Sequence, residues 1–261
     1  MRYLRLYACF LRFSFSRAME FRLDFWFRIG MDGLWYGVNL AFFWVLYRHT
    51  ARLGEWTYDQ AIVFIAGMFV VDAVHMTVCS NNMWWLPIAI NKGDLDYYLV
   101  RPVSSLFFLS LREFAANSFV NLLMAGGILA WALARYPEPL GAATMACYVA
   151  LLFLGTFTFY VMHMLFLIPA FWMHTSGGLR EIFFSLEHYS SRPHRMFTGW
   201  VRKALLTVLP FALYASVPAQ ALFEGLTPTL LLHVAAVNAV AFAAMIALWK
   251  AGLRSYASAS S

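Results

Sequence analysis

The chain has 261 residues, 62% of them hydrophobic and only 12% charged, with a formal net charge of +6. Soluble domains carry about a quarter charged residues, so too few polar groups exist here to cover a water-facing globule. The basic excess, in a chain with little room for a soluble basic surface, speaks for membrane borders and anionic headgroups and against nucleic-acid binding.

At the start of the chain, Arg2, Arg5, Arg12, Arg17, Arg22 and Arg28 recur among Tyr3, Leu4, Leu6, Phe10, Phe13 and Phe15. A cleavable signal would instead place a short basic region before an uninterrupted apolar core. The interleaving predicts an interfacial amphipathic elbow helix over residues 1–28, guanidinium groups toward phosphate, leading into the first span. Residues 29–261 then read as a six-helix transmembrane domain of an all-α integral membrane protein. The apolar runs are of about 20 residues, the length a helix needs to cross roughly 30 Å of hydrocarbon. A helix also satisfies its own backbone hydrogen bonds where water is absent.

Spans are expected at residues 29–47, 58–79, 106–134, 141–171, 201–223 and 229–249. The third and fourth are overlong, which requires tilt, a kink or extension beyond the bilayer. Pro169 is the expected kink in the fourth, because proline deletes a backbone donor and clashes with the preceding turn. Pro210 and Pro218 interrupt the fifth, leaving open a crossing helix or a broken, re-entrant one.

With a cytoplasmic N-terminus, sixteen of the nineteen Lys and Arg residues fall inside, leaving Arg48, Arg52 and Arg135 outside. That places both termini, the segment 80–105 and the segment 172–200 in the cytoplasm of a multi-pass protein of the cell's inner (plasma) membrane. Cys9, Cys79 and Cys147 are widely separated and have no metal-ligand spacing, so neither a metal site nor a disulfide is expected.

Several chemistries lack their motifs. There is no G-x-x-x-x-G-K-[ST], H-E-x-x-H, G-x-S-x-G or C-x-x-C, so no catalytic residue is expected and any ATP hydrolysis must belong to another polypeptide. The pair Gly126–Gly127 reads as close helix packing and Gly177–Gly178 as a loop hinge.

Between the second and third spans lies NKGDLDYYLVRPVS, which packs Lys92, Gly93, Asp94, Asp96, Arg101 and Pro102 into an otherwise apolar chain. Asn91, Lys92 and Gly93 suit a turn, Asp94 or Asp96 a helix start, and Pro102 a stop. This is the composition of a short docking helix, its apolar side on the bundle and Asp94, Asp96 and Arg101 toward a soluble partner. An ordinary polar connector has the same composition.

Inside the spans, Asp72 carries an insertion penalty of roughly 2.5 to 3.5 kcal/mol and must face protein, water or a partner. His75, three residues on, predicts a hydrogen-bonded Asp72–His75 pair, either a lock between helices or, with His163, a proton or substrate site. His233, Asn39, Asn117, Asn121 and Asn238 are expected to make helix-to-helix hydrogen bonds.

The basic aromatic start, the six spans, the K-G-x-L-D-x-x-L-x-R-P block (Lys92, Gly93, Leu95, Asp96, Leu99, Arg101, Pro102) and the later Arg192, Pro193, Pro210 and Pro218 together resemble the permease subunits of ABC-2 type exporters. The resemblance covers nearly the whole chain. One departure is PAQALFEG, where the Gly follows the last Pro a residue late and Glu224 adds a charge. The resemblance implies two permease subunits, identical or related, over two cytoplasmic ABC ATPase subunits that bind ATP and Mg. It implies a coupling helix formed by Lys92, Gly93, Asp94, Leu95, Asp96, Leu99, Arg101 and Pro102 against the ATPase, and outward movement of an amphipathic or hydrophobic compound. This chain would bind no cofactor of its own and would contact only these subunits and membrane lipids. Two other classes compete. One is a proton- or ion-coupled secondary transporter using Asp72, His75 and His163, although no internal duplication supports it. The other is a lipid-active enzyme, for which the polar residues are dispersed over too many spans.

Overall fold

A computed structural model describes residues 2–18, 22–53, 55–173 and 177–256. Apart from one isolated bridge between Leu53 and Trp56, its regular structure is helical. The helices are α1 (Arg2–Ala18), α2 (Arg22–His49), α3 (Tyr58–His75), α4 (Asn81–Lys92), α5 (Asp96–Leu99), α6 (Ser105–Leu111) and α7 (Ala116–Arg135). They continue with α8 (Ala142–Leu167), α9 (Ala170–Met173), α10 (Gly177–Glu187), α11 (Gly199–Leu206), α12 (Ser216–Glu224) and α13 (Pro228–Ser255). Among the described residues, five stretches are long and apolar enough to cross a membrane: Trp26–His49, Tyr58–Lys92, Ser118–Arg135, Ala142–Met173 and Pro228–Ser255.

The centre of the bundle is α3. It starts at a capping box, in which the Thr57 hydroxyl accepts the Gln60 N–H and the Gln60 side chain accepts the Thr57 N–H at 3.0 Å. Both satisfy helix-end donors. Its apolar residues cover every side, so α3 is surrounded by α7, α8, α12 and α2 rather than by lipid. A single wide turn at Met76–Ser80 joins α3 to α4, and the Thr77 hydroxyl donates to the Ala73 carbonyl there at 2.6 Å. The second span therefore runs well past residue 79. It stops at Gly93, whose φ of 81° is the left-handed conformation that a helix C-terminus favours in glycine.

The overlong third run is divided into α6 and α7 by residues 112–115. The backbone groups freed there are taken up by neighbours. Asn82 donates to the Glu113 carbonyl at 2.7 Å and accepts the Glu113 N–H at 2.8 Å. Ser14 of α1 accepts the Phe114 N–H at 3.1 Å, and the Thr77 carbonyl accepts the Ala115 N–H at 2.8 Å. In the fourth run, α8 ends at Leu167 and the chain turns at Pro169 into α9, the break expected there.

The fifth run does not form a crossing helix. α11 and α12 are separated by Thr207 to Ala215, where Pro210 has no N–H to offer, and span only about 12 and 14 Å at 1.5 Å per residue. Both ends of this hairpin lie at one end of the bundle. His233 near the start of α13 bonds the Leu206 carbonyl at 2.9 Å, and Phe223 of α12 rests on Trp56 and Tyr136. Between them the turn dips inward, so that Tyr214 stacks on Phe159 with ring centroids 4.8 Å apart.

This arrangement corrects the reading of residues 172–200 as one connector on the side opposite the first outer loop. α9 packs beside α4 and α13, and Phe171 sits on Trp249 and Tyr256 at the insert's end of the bundle. α10 then enters the bundle, with Phe183 buried against Phe159, His163 and Phe166. By Arg195 the chain has reached the other end, where that guanidinium bonds Glu55 at 2.6 Å and Glu224 at 2.5 Å. Glu55 belongs to the α2–α3 connection. Arg192, Pro193 and Arg195 therefore share an end with a loop from which the charge count had separated them, and Glu224, the departure in PAQALFEG, is one of the two partners that hold Arg195. α1, through Phe10 on Phe108, and the end of α13, through Tyr256 on Phe171, both lie at the insert's end.

Two glycine readings change as well. A Cβ at Gly126 or Gly127 would meet nothing within 4 Å, so neither brings helices together within the chain. Gly177 and Gly178 begin α10 rather than forming a loop.

His194 fastens the outer connector. Its backbone N–H donates to the Ser216 hydroxyl at 3.0 Å, and that hydroxyl lies 2.7 Å from Nδ1, the geometry of a neutral imidazole accepting a proton. Burial, with Arg202 and then Arg195 adding to it, holds His194 down from 6.5 to about 4. A depressed histidine favours the fold above its unfolded pKa and loses that contribution as pH falls. Thermal stability should therefore decline between pH 6.5 and 4, by up to about 3 kcal/mol since one pKa unit is about 1.4 kcal/mol. Melting curves across that range check this, and a His194→Gln variant should show a shallower decline.

Candidate functional sites at the insert and in a buried cleft

The insert is built around two inward side chains. Leu95 is fully buried and Tyr98 nearly so, both in the cluster formed by Leu86, Ile90, Phe108 and Met164. Arg112 clamps Tyr98 from above: it donates to the Tyr98 hydroxyl and to Glu113 Oε1, and lies 4.6 Å from the centre of the Trp85 ring. α5 has only four residues, so its alternation of inward and outward positions comes from this packing rather than from helix propensity.

Facing away from the bundle are Tyr97, 64% exposed, Val100, 81% exposed, and Leu99, with Lys92, Asp94 and Pro102 around them. Of the three residues expected to face a partner, only Asp94 is exposed. Asp96 is half-buried, and Arg101 lies over the Tyr97 and Phe108 rings at 4.5 and 5.0 Å. A guanidinium is weakly hydrated and stacks readily on aromatic faces, so Arg101 folds back to brace the turn. The exposed tip is apolar with polar flanks. The sequence reading missed Tyr97, Val100 and the bracing Arg112, although the doubled tyrosine in DYYLV marks one ring inward and one outward.

The intramembrane polar residues separate into two groups. No hydrogen bond joins Asp72 to His75, which corrects the expected pair. His75 stacks on Phe159 at 4.0 Å and His163 on Phe183 at 4.5 Å, and the two imidazoles approach at 3.5 Å between Nε2 and Nδ1. Residues three apart share a helix face about 60° from one another, and here the His75 ring is taken up by stacking on Phe159 while Asp72 turns to the cleft. Among the described residues no carboxylate is bonded to either histidine, and the stack packs α3, α8 and α10 together. Among the other amides, Asn238 accepts the Thr158 hydroxyl at 2.8 Å and ties α13 to α8, whereas Asn39 bonds only the Trp35 carbonyl of its own helix. The Asn117 side chain lies outside the described residues. No group of three or more His, Cys, Asp or Glu residues is placed to hold a metal among the described residues.

Asp72 instead lines a cleft of about 140 Å³ with Trp35 and Asn39 of α2, Phe159 of α8, Glu187 at the end of α10, and Tyr214 from the re-entrant turn. Ser190 donates to Glu187 at 2.8 Å. Nothing local marks Glu187, in a charged segment that reads as a cytoplasmic connector, or Tyr214, in an apolar run that reads as a possible span.

The model of a family described as "ABC-2 family transporter protein" matches residues 34–260. No curated protein and no solved structure matches the chain.

Proposed function

The chain belongs to the ABC-2 family of transporter proteins, and from that premise we propose that it is the permease subunit of an ATP-driven exporter, paired with a second permease and moved by a separate ABC ATPase. It is a multi-pass membrane component of an ABC-type transporter rather than a catalyst in its own right. In this reading the insert's end of the bundle is cytoplasmic, α1 is the interfacial elbow, and α10 with the turn after it provides the sixth crossing. The partner holds ATP and Mg.

The observation that carries the coupling role is the division of labour in the insert. Leu95 and Tyr98 bind it to α4 and α6, while Tyr97, Leu99 and Val100 stand exposed beyond the bundle. A rigidly seated apolar tip is suited to insertion into a pocket of a soluble partner, where buried aromatic and aliphatic anchors dominate binding. ATP-driven closure of the cassettes would displace the tip, and α4 would transmit that displacement because it is continuous with α3. The apolar faces of α2, α7 and α13 meet lipid and the second permease.

The test uses the chain purified with its cognate cassette protein in lipid nanodiscs. Val100→Glu, and separately Tyr97→Glu, should weaken the complex by about 2 kcal/mol, roughly 30-fold in Kd, with a parallel loss of coupled ATPase activity. Unchanged affinity and coupling in both variants would remove the insert from the contact.

A further inference from the structure

The exporter reading does not name a cargo, and the cleft beside Asp72 offers one by its chemistry. We propose that this cleft binds the ammonium head of an amphipathic amine, and that the exported compound belongs to this class, an assignment that rests on the exporter reading above.

Two carboxylates face a space walled by aromatic rings. Asp72 has no hydrogen-bond or ion-pair partner among the described residues, and no Lys or Arg lines the cleft. Glu187 is the second carboxylate lining the cleft, and its neighbour Ser190 donates to it at 2.8 Å. An ionised carboxylate at this depth is costly without a counter-charge, and no Lys or Arg stands beside Asp72 among the described residues; His188, which also lines the cleft, is the neighbour of Glu187. A cationic ligand would supply the counter-charge.

The walls favour an organic cation over a metal. Trp35, Phe159 and Tyr214 present ring surfaces that attract a diffuse positive charge and tolerate an attached apolar body. A metal ion would need several ligands converging on one point, and among the described residues no group of three or more His, Cys, Asp or Glu side chains is placed to hold one. A second feature points to a ligand with N–H donors. Tyr214 is 1% exposed, yet its hydroxyl has no hydrogen-bond partner among the described residues. Buried hydroxyls are almost always bonded, and an ammonium held by Asp72 could donate to this oxygen. The volume, about 140 Å³, is close to that of a cavity of about 150 Å³ that holds benzene, so it accommodates a head group while a longer tail extends out past α2.

Binding is measured by isothermal titration calorimetry on the full-length chain in zwitterionic nanodiscs, without ATPase or ATP. The probes are 2-phenylethylammonium and its neutral analogue 2-phenylethanol, which share a ring and differ in the charged donor. The wild-type chain should prefer the ammonium by about tenfold or more, the difference between a charged and a neutral hydrogen-bond partner. Asp72→Asn should remove that preference, and Tyr214→Phe should reduce ammonium affinity several-fold. Equal affinity for both probes, an unchanged preference in Asp72→Asn, or no heat from either probe up to roughly 10 mM would each overturn the proposal. The wild-type comparison holds even if a variant does not fold. Selective binding by a chain that fails to couple to an ATPase would refute the exporter reading and leave the site standing. Coupling without selectivity would do the reverse.

Discussion

Gly155→Ala is expected to disrupt the bundle more than any other single methyl addition considered in the chain. A Cβ there would fall inside the contact distance of the Tyr214 carbonyl oxygen and 2.9 Å from that of Leu213. Both are backbone atoms of the re-entrant turn, which cannot rotate aside as the side chains near Gly67 and Gly252 can. The variant must push the turn away from α8, breaking the stack of Tyr214 on Phe159 and opening the base of the Asp72 cleft. Overpacking a close interior contact costs about 1–3 kcal/mol, occasionally more. The expected result is a melting temperature lowered by several degrees together with loss of ammonium selectivity. A melting curve unchanged from wild type would show that the turn does not rest on Gly155. Gly155→Val should be worse still and is expected to lower the yield of monodisperse protein.

The second large effect is expected at Asn82. Its side chain, 3% exposed, satisfies both the N–H and the carbonyl of Glu113 where α6 gives way to α7. Asn82→Ala removes the side chain that satisfies two part-buried backbone groups, each costing about 1–3 kcal/mol, so a loss of about 2–5 kcal/mol is expected. The damage should spread to the insert because Glu113 also accepts from Arg112, and Arg112 holds Tyr98. Chemical denaturation measures the stability loss. Hydrogen exchange should show faster amide exchange across residues 94–101 in the variant, and unchanged protection there would separate the α6–α7 break from the insert.

These residues mark the limits of what a linear reading can find. Asn82 sits in a helix and serves a break 31 positions later, so no local pattern connects them. Gly155 looks like any other small residue in an apolar run. The insert was legible because its punctuation is local: Gly93 ends α4 in a left-handed conformation, and Ser104 caps α6 by accepting the Phe107 N–H. Its outward chemistry was not, because whether Arg101 faces solvent or an aromatic ring depends on Phe108, which another helix supplies.

Composition and hydropathy alone determined a helical membrane chain, all five of the long helices described to within a few residues at one or both ends, the break at Pro169 and the position of the insert. These follow from local requirements: a helix must bury its backbone polarity, and proline and glycine interrupt it wherever they occur. Only the tertiary structure decided which elements pass from one end of the bundle to the other. Residues 210–222 are apolar because protein encloses them, and hydropathy cannot tell an enclosing protein from lipid. α10 was passed over because of its charges, yet Arg180 lies 4.0 Å from the Trp84 ring and Glu187 bonds Ser190, so neighbours supply what the solvent would have. The cleft that gathers Asp72, Glu187 and Tyr214 follows from that exchange of roles, since the pairing of distant groups is settled by packing and leaves no periodic trace along the chain.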